Sequence, residues 1–200
     1  MQSLTEDRTD YAAARQAMID SQLRTSGVNA EWALARMRAV PRETFVPPTQ
    51  RVMAYSDRAV RLDDGHSMAA PIFYGTMLQE ARPQPHDRAL IVSPAPAYLS
   101  ELFAPLVSEI VTITPVQALE ESATRADITL LLIDGAAEQV PATLAARLAL
   151  GGRAIGGVIR NGVQRLAIGR LAGAELVFQP VMEMGIPRLP EFDKPKNWQF

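Results

Sequence analysis

The sequence has no cysteine, no long apolar run and no marked excess of either charge, and each absence closes off a class of function. Without thiols there is no disulfide, no thiolate nucleophile and no cysteine-ligated metal, so metal chemistry is not expected; a reducing, cytoplasmic setting suits the composition. Twenty basic and 22 acidic residues leave a formal charge of −2, and no basic run can neutralise a phosphate backbone. No nucleic-acid partner is therefore expected. No apolar stretch reaches the roughly 20 residues of a membrane span, and the polar opening MQSLTEDRTDYAAARQ lacks the apolar core of a secretory signal, so no membrane partner is expected either.

What is present fits one compact α/β chain. Two hundred residues, 48% of them hydrophobic, bury enough surface to fold without staples. Ala14, Met18, Ile19 and Leu23 recur at helical spacing ahead of Gly27, which predicts a first helix and its left-handed cap. A second helix, AEWALARMRAV, is predicted with Asn29 as its cap, Trp32, Leu34, Ala35 and Met37 as its buried stripe, and Pro41 as its stop. PRETFVPPTQ reads as extended. Residues 51–71 read as loop-rich, with a small strand pair about Asp63-Asp64-Gly65, and IFYGTMLQEA resumes a helical period after Pro71.

From Arg88 onward, short branched runs (RALIVS, EIVTIT, DITLLLID) alternate with helical segments (APAYLSELFAPLV, QVPATLAARLAL), the pattern of a mostly parallel sheet covered on both faces. The last third reads as antiparallel strands joined by RNG and RLAG turns, with Asn161-Gly162 favouring a tight hairpin. The expected fold is α/β: residues 1–86 form a helical, loop-rich extension packed on a core at 87–200, whose mostly parallel sheet carries an antiparallel C-terminal edge.

The turn after the first of these strands is the place for a nucleotide-type cofactor, and it has no glycine. Ser93, Pro94, Ala95, Pro96 and Ala97 stand where close backbone approach calls for glycine, and each proline removes an amide donor. The turn reads either as an altered cofactor cradle or as packing into a helix that begins near Pro96. The second strand closes on Thr114 instead of the acid that grips a ribose hydroxyl.

The segments MIDSQLRTSGV, MRAVPRETFVPPTQRVMAYSD, DDGHSMAAPIFYGTML, IDGAAEQVP, GGRAI and LPEFDKP resemble the protein-L-isoaspartate O-methyltransferase family over nearly the full chain. The resemblance implies a Rossmann-like methyltransferase core and transfer of a methyl group from S-adenosylmethionine to the α-carboxyl of isoaspartyl residues in damaged proteins. The chain departs from the family pattern in one region. The family loop Gly-Gln-Thr-Ile-Ser is here Gly65, His66, Ser67, Met68 and Ala69, so the hydroxyl implied at Ala69 is missing. The family's glycine turn is replaced by Ser93, Ala95 and Ala97, its acid by Thr114, and residues 115–126 are too few for the helix, strand and acidic adenine turn the family places there.

These readings leave no assigned catalytic residue. They leave a residual substrate cleft at Tyr55, Asp57, His66 and Ser67, with Phe73 and Tyr74 beside it, and a residual cofactor set at Ser93, Ala95, Ala97, Thr114 and Asp134. Asp134, at a strand end with Gly135 after it, accepts a bond from something in the cleft, caps the following turn or pairs with Arg153. His66 is a general base or a surface loop residue, and an ionised carboxyl nucleophile needs no base. Asp57 and Asp63-Asp64 are an acid/base group or solvated turn residues. Together the departures predict a noncatalytic member that uses no cofactor and acts as an interaction or peptide-binding protein, alone or as a homodimer. The alternative is an active S-adenosylmethionine-dependent carboxyl methyltransferase acting on isoaspartyl residues.

Overall fold

The computed structural model describes residues 10–121 and 126–195. Its first helix, α1 (Tyr11–Met18), begins where the Asp10 carboxylate accepts the N–H groups of Ala12 and Ala13, and it continues through one π turn, Ile19–Leu23. Gly27 follows in the left-handed region, with φ +91°. Helix α2 spans Glu31–Ala39, but Asn29 does not cap it. Instead the side-chain oxygen of Gln79 accepts the N–H groups of Asn29 and Ala30 at 2.8 and 3.1 Å. The buried face is Ala33, Leu34 and Met37, which cluster at helical spacing, whereas Trp32 and Ala35 project from the opposite side and are exposed.

PRETFVPPTQ is not extended. It forms two 3-10 turns, Arg42–Phe45 and Pro48–Met53; Pro41 is the extended cap residue before the first, and Pro48 takes the first position of the second, which its fixed φ suits. The expected strand pair is present as β1 (Val60–Arg61) and β2 (Ser67–Met68), antiparallel about a turn in which Gly65 has φ +85°. Helix α3 (Pro71–Ala81) follows, buried from Pro71 to Leu78.

The sheet contains β3 (Arg88–Val92), β4 (Glu109–Ile113), β5 (Ile128–Ala137), β6 (Leu148–Arg160), β7 (Val163–Ala172) and β8 (Glu175–Glu183) in the order β4-β3-β5-β6-β7-β8. Pairing is parallel from β4 to β6 and antiparallel from β6 to β8, an α/β fold with an antiparallel C-terminal edge. Asn161 and Gly162 both have positive φ, which gives β6 and β7 their tight turn. Helix α4 is Ala97–Phe103; α5 is only Ala142–Arg147, because Leu148–Leu150, expected in the helix, open β6. In the segment PVQALEESATRA, a 3-10 turn spans Gln117–Leu119, while residues 122–125 lie outside the described residues.

Side chains alternate across β5. Leu130 and Leu132 join the layer of α1–α4, whereas Leu131 and Ile133 face Leu144 of α5 and Phe192 of the C-terminal segment. No helix among the described residues is long and apolar enough to cross a membrane.

One buried ion pair ties these layers at the amino end of the sheet. Arg153 of β6 donates to Asp87 Oδ2 at 2.6 Å and also to the carbonyls of Ala81 and Arg82, so one side chain holds the end of α3 to β3 and β6. Burial alone would raise the Asp87 carboxyl, but hydrogen bonds from Arg153, the Gln84 N–H and Thr129, with the Arg153 charge, hold it below the ordinary carboxylate range. Its stabilising effect is therefore present above pH ~4 and fades as pH falls through the depressed value. Replacing Asp87 with Ala leaves a buried guanidinium without its carboxylate and should lower stability by roughly 3 kcal/mol in urea denaturation at pH 7. A loss below about 0.5 kcal/mol, the range of ordinary surface substitutions, would contradict this role.

Candidate functional site

The chain leaves β3 for β4 on one side and then returns to place β5 on the other. The crevice at the carboxyl ends of β3 and β5 is thus the topological switch point, where open α/β sheets bind ligands. Ser93 directly follows β3 there, and Asp134 stands in β5 where its register with β6 breaks after Ile133.

The Asp134 carboxylate joins the two walls of this crevice. Ser93 Oγ donates to Oδ2 at 2.8 Å, and Tyr74 Oη of α3 donates to Oδ1 at 3.0 Å. Each hydroxyl is itself held by a backbone amide: Ala95 N–H donates to Ser93 Oγ and Ala69 N–H donates to Tyr74 Oη. One carboxylate therefore fixes both the turn after β3 and the end of the Gly65–Ala70 loop. Burial pushes the Asp134 carboxyl up to about 6, against the downward pull of the Ser93 and Tyr74 hydrogen bonds and the Arg42 charge. Burial, reinforced by the Asp134 charge, likewise holds the Tyr74 phenol well above its usual range.

A cavity of about 420 Å³ opens beside this network, lined by Asp64, His66, Ser67, Pro94, Asp134 and Arg188 among others. Its lining carries three carboxylates, Asp64, Asp134 and Glu191, against one permanent cation, Arg188, which suits a cationic ligand. Part of the wall is the C-terminal segment: Leu189 N–H donates to Ala136 O, and Ala136 N–H donates to Pro187 O. Gly135 admits this segment and leaves no room for a ligand, since a Cβ there would lie 2.6 Å from the Leu189 side chain.

The expected residues divide accordingly. Ser67 and His66 line the cavity, with His66 exposed and its N–H donated to Asp64. Ser93 and Asp134 meet directly. Arg153 does not pair with Asp134, being held by Asp87.

Tyr55, Phe73 and Tyr74 do not form an open cleft, because all three are buried in the core. The Tyr55 hydroxyl sits between Arg15 and Glu43, away from Asp134. Asp57 is exposed beside a different hollow of about 650 Å³, with Arg58, Ala70 and Ile186. Ala95 is half-buried and Ala97 exposed. Thr114 is exposed, and its hydroxyl accepts the Gln117 N–H at 3.2 Å, a local turn bond. The link from Tyr74 to Asp134 has no signature in the sequence, since the two stand 60 residues apart.

A family model described as protein-L-isoaspartate(D-aspartate) O-methyltransferase matches residues 13–131, a span that includes both the loop at residues 65–70 and the turn at 93–97. The chain is 39% identical over 107 residues to a protein-L-isoaspartate O-methyltransferase of Herpetosiphon aurantiacus, covering 54% of this chain and 48% of that protein. It is 43% identical over 103 residues to one of Aeropyrum pernix, covering 51% and 39%. The chain spans about half the length or less of these curated relatives. In fold it is similar to a Plasmodium falciparum chain assigned as a protein-L-isoaspartate O-methyltransferase and solved in complex with S-adenosyl-L-homocysteine: TM-score 0.70, 14% identity, 90% of this chain and 98% of that one.

The family match and the curated methyltransferases overturn the expectation of a noncatalytic chain, and with it the expectation of no cofactor. The replaced glycines and acid do not take the sequence out of the family, and the crevice they border is still built at the switch point.

The raised Asp134 value has a sign that can be measured. Between pH ~4 and 6 the folded protein holds this proton more tightly than the unfolded chain, so stability falls as pH rises through about 6. Asp134→Asn should match the wild type near pH 4 and be more stable by about 1–2 kcal/mol at pH 8 in urea denaturation. A variant less stable than wild type at pH 8 would show that ionised Asp134 is stabilising in the free protein.

Proposed function

Because this chain belongs to the protein-L-isoaspartate(D-aspartate) O-methyltransferase family, we propose that it is an active S-adenosylmethionine-dependent carboxyl methyltransferase acting on isoaspartyl residues of cytoplasmic proteins. The observation that carries the reading is the Ser93–Asp134–Tyr74 network at the switch point, which fixes the turn and the loop to a single carboxylate.

The residues present fit the positively charged end of the cofactor. A sulfonium and an ammonium group call for anionic and hydroxyl acceptors, and Asp134 and Ser93 supply them at the crevice floor. Ala95 and Ala97 keep the turn low, doing with small side chains part of what glycine does. Neither Pro94 nor Pro96 has an amide to offer and the Ala95 amide is taken by Ser93, so Asp134 carries more of the grip than a glycine turn would require.

When bound, the cofactor supplies an electrophilic methyl group. The substrate carboxylate is ionised at neutral pH, so the chain has no proton to remove from it; its part is alignment and exclusion of water. Ser67, on the cavity wall, is the hydroxyl of the Gly65–Ala70 loop and stands in for the one missing at Ala69 as a donor to that carboxylate.

Transfer of labelled methyl from S-adenosylmethionine tests this directly, with paired peptides containing isoaspartate or aspartate at one position. Saturable labelling of the isoaspartyl peptide is expected, with kcat/KM reduced about tenfold or more in Asp134→Asn through loss of one charge-assisted contact. Absence of labelling by folded wild-type protein, or equal labelling of both peptides, would defeat the proposal.

A further inference from the structure

Arg42 is the largest fully buried side chain, on the 3-10 turn Arg42–Phe45. Among the described residues no carboxylate lies within ion-pair distance of it. Its Nε donates to Ala54 O at 2.7 Å, its Nη2 donates to Ala69 O, and its Nη1 is buried without a hydrogen-bond partner. The guanidinium lies 5.4 Å from the Tyr74 ring centroid and 5.2 Å from that of Tyr98, and these two rings meet edge to face at 5.0 Å. A buried cation needs compensation, which carbonyl dipoles and aromatic faces supply only in part.

Tyr74 connects that cation to the site. Its ring receives Arg42, while its hydroxyl donates to Asp134 and accepts the amide of Ala69. Ala69 is thus gripped at both polar groups: its carbonyl by Arg42 and its amide by Tyr74.

We propose that Arg42 is a positioning residue for methyl transfer, holding the Ser67–Ala70 loop through Ala69 and coupled to the Asp134 carboxylate through the ring and hydroxyl of Tyr74. Its consequence for turnover rests on the methyltransferase reading above; the coupling to Asp134 does not, since it is a property of the protein without ligand. The other groups facing Asp134 are Tyr74 from α3, Ser93 from the turn after β3, Asp64 and His66 from the β1–β2 turn, and Arg188 and Glu191 from the C-terminal segment. Among these described residues Arg188 is the one permanent cation besides Arg42, and it is engaged by Glu138 and Asp193.

The test is a carboxyl-carbon NMR titration of Asp134 in ligand-free protein, assigned with Asp134→Asn, for wild type, Arg42→Lys and the neutral variants Arg42→Gln and Arg42→Met. The neutral variants should raise the Asp134 midpoint by about half a pH unit or more, while Arg42→Lys leaves it near wild type. A lysine ammonium does not reproduce the planar fork that spans two carbonyls, so Arg42→Lys should instead raise KM for the isoaspartyl peptide roughly tenfold with little change in kcat. An unchanged midpoint in whichever neutral variant folds would overturn the proposal. A shifted midpoint in a protein that transfers no methyl group would uphold the coupling and defeat only the methyltransferase reading.

Discussion

The geometry of the crevice depends on one carboxylate receiving two hydroxyl hydrogen bonds. Asp134 sits at the centre of the sheet, and Ser93 and Tyr74 reach it from different elements, each carrying a backbone amide behind it. Remove the carboxylate and neither the turn at 93–97 nor the loop at 65–70 has a common anchor. The arrangement is electrostatically costly, since burial raises Asp134 to about 6, so at neutral pH the folded protein holds an ionised group whose charge costs more there than in the unfolded chain. Such a group is suited to binding a cation, because a ligand of opposite charge relieves the cost that burial imposes.

The rest of the fold places that carboxylate. Alternation along β5 seats Leu130 and Leu132 against the N-terminal helices, and Leu131 and Ile133 against α5 and the C-terminal segment. Asp87 and Arg153 fasten the opposite end of the sheet, so β3, β5 and β6 present their carboxyl ends as one rigid edge. The C-terminal segment then lies along Ala136, made possible by a glycine at 135.

Most of this fold was legible in the sequence, because its signals are local. Branched runs marked β3 to β5, the Asn161-Gly162 pair marked the β6–β7 turn, and Pro71 marked the start of α3. The misreadings arose where a local pattern had more than one outcome. Trp32 was assigned to a buried stripe with Leu34, Ala35 and Met37, but Ala33 takes the inward position. PRETFVPPTQ was read as extended because of its prolines, although proline equally opens a 3-10 turn. The site was less legible. Ser67, Ser93 and Asp134 were singled out from the family-like loop and the strand ends, and the structure brings them to one crevice, whereas Tyr55 was misplaced in a cleft and Arg42 was not singled out at all. Its importance comes from partners at positions 54, 69, 74 and 98, which no short motif contains. The replaced glycines were also given too much weight: the chain keeps its place in the family, and the crevice they border is still built at the switch point.

A crystal structure of the protein with S-adenosyl-L-homocysteine would test the central claim most directly. The account predicts the ligand in the crevice between β3 and β5, its ammonium group within hydrogen-bond distance of Asp134 and its chain passing over Ala95. A ligand bound elsewhere, or a crevice in which Pro94 and Leu189 leave no room for it at saturating concentration, would contradict the account.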